Sequence, residues 1–119
     1  KIEDRVRYNT YDSVNIRREK DFDTEMKNAL EFINNDFFGL EIDLDAIPNI
    51  ASSAMTLSGY SIEQVRQFIS FFAKNKNAAY LHICEGAPDL GEEKNNHLIG
   101  KLIGYLITDF IKANSASIN

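Results

Sequence analysis

Apolar residues recur along this chain with two periods. Met26, Ala29, Leu30 and Ile33 fall at i, i+3, i+4 and i+7, which predicts a helix from about Thr24 to Asn34. Asp23 or Thr24 can cap its start, and Asn34-Asn35 can end it. Val65, Phe68, Ile69 and Phe72 form a second helical stripe. That helix starts at Ser61, which with Gln64 makes a capping box, and stops at Asn75 to Asn77. A third helix is predicted from about Glu93 to Ala113. Its Leu98, Ile99, Leu102, Ile103, Leu106 and Phe110 lie on more than one face, so heavy burial is expected. The tail, Asn114 to Asn119, is polar and is expected to fray.

Between the helices the pattern shortens. Ser13 to Arg18 alternates apolar and polar through Val14 and Ile16, which suits a short strand after an irregular lead-in, Lys1 to Asp12. Phe37 to Asp45 reads as a strand that begins apolar and ends in carboxylates, and Ala78 to Cys84 as another buried strand. A polar loop, Ala46 to Gly59, follows the former, and the loop Glu85 to Gly91 follows the latter. Loops as long as the first are usually functional or mobile. The order βαβαβα predicts an α/β fold, three-layered, with a mostly parallel sheet and flanking helices, as a single domain over residues 1–119. Functional groups then belong at the C-terminal ends of the strands.

Composition narrows the partners. A net charge of −5, with basic residues scattered except at Arg17-Arg18, argues against nucleic acid and anionic membrane. The longest apolar run, Leu98 to Ile111, is broken by Lys101 and Asp109 and is too short to span a bilayer. One cysteine, Cys84, allows no intrachain disulfide, and a cytoplasmic setting is expected. The chain starts at Lys1 rather than Met and is expected to be a processed product or a piece of a longer protein.

Asp43 and Asp45 stand two apart at the end of a predicted strand, so alternation puts both carboxylates on one face. Close carboxylates do not both ionise cheaply, and a divalent cation removes that conflict. Oxygen donors suit Mg²⁺ or Mn²⁺. The bland alternative is a pair of solvated turn aspartates. Glu41 shares their face. Glu85 ends the other apolar strand. If the two strands are neighbours, it opens onto the same edge and could bind a cationic group, or else it simply faces water. His82 and Cys84 lie on the opposite face from Glu85. His82 suits a hydrogen-bonded core residue, and Cys84 has no base paired with it in sequence. His97, at a helix start, faces solvent or the rim of the site. No phosphate-binding glycine motif, nucleophile elbow or metal-spaced Cys/His cluster occurs.

These blocks together resemble the ureohydrolases, the family of arginase, agmatinase and formimidoylglutamase. L-E-I-D-L-D-A-I-P-N, from Leu40 to Asn49, resembles the family's S-x-D-x-D-x-x-D-P. S-G-Y-S-I-E-Q, from Ser58 to Gln64, resembles G-G-L-[ST]-x-x-E, and H-I-C-E-G-A-P, from His82 to Pro88, resembles D-x-x-E-x-N-P. The resemblance covers most of the chain from Ser13 onward and is strongest to bacterial formimidoylglutamase. It implies a C-terminal portion of a binuclear manganese hydrolase of linear amidines or guanidines, with formimidoylglutamate in histidine breakdown as substrate. Asp43 and Asp45 match the metal-binding aspartates, and Glu85 matches the glutamate that holds the amidine or guanidinium end. Glu41 stands where the family has Ser, and His82 where Asp is usual. These departures bear on substrate class more than on metal binding.

The family's other metal ligands lie in G-G-D-H and D-A-H-x-D blocks that do not occur here, and its full domain is more than twice this length. The chain alone is therefore expected to bind metal weakly and to lack catalysis. It is expected to partner the rest of a ureohydrolase chain and, through exposed sheet edges, to form homo-oligomers. The rival readings are non-catalytic. One is a degenerate ureohydrolase; the other is a receiver-like module that binds Mg²⁺ or a partner through its acidic cluster. The latter is disfavoured because the first predicted strand ends in Arg17-Arg18.

Overall fold

The computed structural model describes Lys1, residues 4–90 and residues 96–118. The chain divides into two compact units, Lys1–Asp36 and Phe37–Asn119.

In the first unit the strand expected at Ser13 to Arg18 does not form. Asp12–Ile16 is a π-helical turn, closed by the Arg17 N–H donating to the Asp12 carbonyl at 2.7 Å. Thr10 is the cause. Its carbonyl accepts from the Ser13 hydroxyl at 2.9 Å and its hydroxyl accepts from the Ser13 N–H at 3.2 Å, so the backbone is bent before alternation can begin. Adjacent Ser13 and Val14 are both buried while Ile16 is 61% exposed, a pattern that a strand cannot give. Arg18, at φ 53°, turns the chain into the first helix.

That helix, α1, spans Phe22–Ile33. Its cap is Asp21 rather than Asp23 or Thr24. The Asp21 carboxylate accepts from both the N–H and the hydroxyl of Thr24, at 2.9 and 2.8 Å. Asn34 and Asn35, at φ 54° and 65°, end it as the sequence pattern indicates, because asparagine tolerates the left-handed region.

The second unit contains β1 (Phe38–Asp43), α2 (Ile62–Ala73), β2 (Ala78–Cys84) and α3 (Asn96–Ile118). The strands pair in parallel, with Leu40 beside Leu81, Ile42 beside Ile83 and Asp43 beside Cys84. The α/β class and the parallel sheet with flanking helices are as the pattern predicts, with two strands among the described residues rather than three. Burial is one-sided. Leu40 and Ile42 are buried, but Tyr80 is 52% exposed on the other face. Fully buried strands are the rule for parallel sheets, and neither strand follows it here.

The core is built from Ile42 on the sheet, Leu44 and Ile47 just beyond it, Val65 and Ile69 on α2, and Ile99, Leu102 and Leu106 on α3. Leu44, Ile69 and Leu106 are completely buried. Each such side chain contributes about 1.5–3 kcal/mol relative to exposure. The capping box at Ser61 and Gln64 forms as expected. Arg66 of α2 grips Asp109 of α3 with two hydrogen bonds, at 2.7 and 3.1 Å.

α3 does not fray at Asn114 but runs on to Ile118. The Asn114 amide donates to the carbonyls of Ala73 and Ala78, at 3.2 and 3.3 Å, tying α3 to the end of α2 and the start of β2. The expected start of this helix, Glu93 to Asn95, lies outside the described residues. No helix among the described residues is long and apolar enough to cross a membrane.

Candidate functional site at the strand ends

Parallel pairing brings the C-terminal ends of β1 and β2 together, so the residues after them share one edge. β1 stops at Asp43. Its Oδ1 accepts from the Asp45 N–H at 2.9 Å and caps a 3₁₀ turn, Leu44–Ala46. Asp45 therefore sits in a turn, and alternation along a strand does not set its direction. Leu44 and Ile47 are driven into the core on either side of it.

A segment of the long loop sets the direction of Asp45 instead. The Ala54 N–H donates to Asp45 Oδ1 at 2.7 Å, and the Ser53 hydroxyl lies 2.8 Å from Asp45 Oδ2. The Ala54 N–H is the chief cause that holds the Asp45 carboxyl below the usual carboxylate range.

The same segment holds Glu85. The Ser53 hydroxyl lies 2.6 Å from Glu85 Oε2, and the Ser53 N–H donates to the Glu85 carbonyl at 3.0 Å. Ser52 and Gly86 form an antiparallel bridge, and the Ala87 N–H donates to the Ala51 carbonyl at 2.9 Å. Glu85 is held by these contacts at φ 66°, a left-handed conformation that most side chains avoid. Such positions cost on the order of 1 kcal/mol or more and cluster at functional sites.

Ser53 thus links Asp45 to Glu85 across the strand ends. The sequence pattern singled out Asp43, Asp45 and Glu85 but not Ser52, Ser53 or Ala54. The signal available was the length of the loop that carries them.

The remaining candidates lie elsewhere. Glu41 and His82 are cross-strand neighbours on the open face, with Glu41 Oε2 2.5 Å from His82 Nδ1. The Tyr80 hydroxyl and then His82 hold the Glu41 carboxyl low. Glu41 therefore belongs to this pair and not to the aspartates. His82 is hydrogen-bonded as expected, but its side chain is 58% exposed rather than packed in a core. Cys84 is half-buried. Burial, then the charges of Asp43 and Glu85, push its thiol up, away from the reactive thiolate. His97 is exposed in the first turn of α3.

Manganese is the metal that the sequence resemblance implies. The donor type fits, since Asp43 and Asp45 offer hard oxygen ligands. The donor number does not. Both Asp45 oxygens are engaged by the loop, and no group of three or more His, Cys, Asp or Glu among the described residues could hold a metal ion. These residues alone do not make a two-metal centre.

By sequence the chain matches no protein-family model and no curated protein. By structure it is an α/β chain with the fold of the arginases. It superposes on an arginase from Bacillus subtilis subsp. subtilis str. 168 with a TM-score of 0.68 and 17% identity, over 82% of this chain and 35% of that one. A second Bacillus subtilis arginase structure gives 0.68 and 15%, over 82% and 36%. The native arginase of Bacillus caldovelox at pH 5.6 gives 0.67 and 17%, over 88% and 36%. The chain spans about a third of the length of these structures.

Proposed function

We propose that this chain is the C-terminal portion of a ureohydrolase, a manganese-dependent hydrolase of C–N bonds in linear amidines or guanidines. The observation that carries this reading is the link from Asp45 through Ser53 to Glu85 at the ends of two parallel strands in an arginase fold. Asp43 and Asp45 contribute carboxylates to the metal side of the site. Glu85 receives the cationic amidinium or guanidinium, a planar fork that a carboxylate matches in charge and geometry. Its second oxygen, Oε1, accepts no hydrogen bond among the described residues and is the acceptor assigned to the ligand. The metal dependence and the turnover belong to the whole protein, because the donor set here is incomplete.

Within that class we assign N-formimidoyl-L-glutamate as substrate, giving glutamate and formamide in a cytoplasmic histidine-degrading enzyme. This finer assignment rests on the E-I-D-L-D-A-I-P stretch, Glu41 to Pro48.

A non-catalytic reading, a degenerate ureohydrolase that only binds metal or a partner, draws on one observation: Asp45 is already satisfied by its own loop. The natural protein containing this chain separates the two. Loaded with Mn²⁺, it is given arginine, agmatine and N-formimidoyl-L-glutamate, and urea and formamide are measured. Formamide release that falls at least tenfold in Glu85→Gln supports the assignment. Urea release instead corrects the substrate to a guanidine. Release of neither product removes the enzyme reading.

A further inference from the structure

We infer that Ser53 is the positioning residue for Glu85, holding its carboxylate in one orientation before any ligand arrives; this deepens the reading of Glu85 as a cation-binding group and rests on it for its functional meaning.

A serine hydroxyl donates one hydrogen, yet Ser53 Oγ lies within hydrogen-bond distance of two acceptor-only carboxylates, at 2.8 Å from Asp45 and 2.6 Å from Glu85. Asp45 does not depend on it. The Ala54 N–H already serves that carboxylate, at 2.7 Å. Glu85 has no other side-chain donor among the described residues. The hydrogen of Ser53 therefore goes to Glu85 Oε2, the shorter of the two contacts.

The backbone is arranged to the same end. The Ser53 N–H holds the Glu85 carbonyl, so one residue grips Glu85 at both its main chain and its side chain. The main-chain grip fixes a left-handed residue. The side-chain grip leaves Oε1 as the open acceptor. A free glutamate side chain loses rotamer freedom when it is fixed. Ser53 imposes that order in advance, so that a cationic ligand does not have to. When a ligand engages Glu85, the hydroxyl can turn toward Asp45 without leaving either carboxylate stranded.

The test is made on this chain by NMR, reading the Glu85 χ1 rotamer from three-bond couplings. One rotamer is expected in the unaltered chain, averaged couplings in Ser53→Ala, and one rotamer again in Ser53→Thr, which restores the hydroxyl. In the natural Mn²⁺-loaded protein, Ser53→Ala is expected to raise KM about tenfold with kcat within about threefold, and Ser53→Thr to return it. Ser53→Cys, similar in size but a weak donor, makes the same test if the alanine variant does not fold. Equal couplings in all variants overturn the inference, and so does averaging in Ser53→Thr. Ordered couplings in a protein that turns over no amidine leave the positioning intact and remove the enzymatic reading instead.

Discussion

Gly59 closes the long loop onto the turn that holds Asp45, and adding one methyl group there is the sharpest test of that geometry. The Tyr60 N–H donates to the Ala46 carbonyl at 2.8 Å, and a Cβ on Gly59 would stand 2.2 Å from that same oxygen. The obstacle is backbone and cannot rotate away. Gly59→Ala must therefore push the loop off the 3₁₀ turn. Overpacking of this kind costs about 1–3 kcal/mol, and loss of the Tyr60 bond adds about 0.5–1.5 kcal/mol. A destabilisation of about 2–4 kcal/mol follows from those terms. With a mid-range urea slope of about 2 kcal/mol/M, the unfolding midpoint falls by about 1–2 M. Gly100→Ala is the internal control. Gly100 lies in α3 with nothing within 4 Å of an added Cβ, so the same methyl should stabilise the helix by about 0.5–1 kcal/mol. Midpoints that move in the same direction for both variants would refute the reasoning.

Asn114→Ala removes both amide bonds to Ala73 and Ala78 and should cost about 1–3 kcal/mol in urea unfolding. Ser61→Ala removes the capping-box hydroxyl and should cost about 1 kcal/mol, with faster hydrogen exchange in the first turn of α2. The Asp45 carboxyl is held low when folded, so its contribution is present above the unfolded value, about pH 4, and is lost as pH falls through the folded one. Protection of the Ala54 amide should persist at about pH 4 in the unaltered chain and collapse only as pH falls through the lowered folded value. In Asp45→Asn it should be weak at every pH. Cys84, pushed up by burial and by Asp43, should react with iodoacetamide at pH 7.5 more slowly than free cysteine.

Much of the fold is legible in the sequence where a single local rule governs. The Ser61–Gln64 box, the asparagine stop at Asn34 and the two strands Phe38–Asp43 and Ala78–Cys84 each follow from period or capping chemistry. Errors fall where a neighbour outside the pattern decides. Thr10 bends Ser13 and Val14 into a helical turn, Asp43 caps Asp45 out of the strand, and Asn114 finds carbonyl partners on two other elements. At the site, the carboxylates announce themselves by type and spacing. Ser53 does not, because a serine in a polar loop has the same sequence pattern whether it touches water or two acidic side chains.

The pairing of residue 38 with residue 78 has a kinetic side. Parallel strands cannot be zipped from a tight turn, so closing the sheet must span the loop and all of α2 before the first ladder bond forms. A ring of that size closes at an entropic loss that burial of Ile42, Leu44 and Ile47 against α2 and α3 must offset. The strand-end carboxylates are thus brought together by the same contacts that assemble the apolar interior.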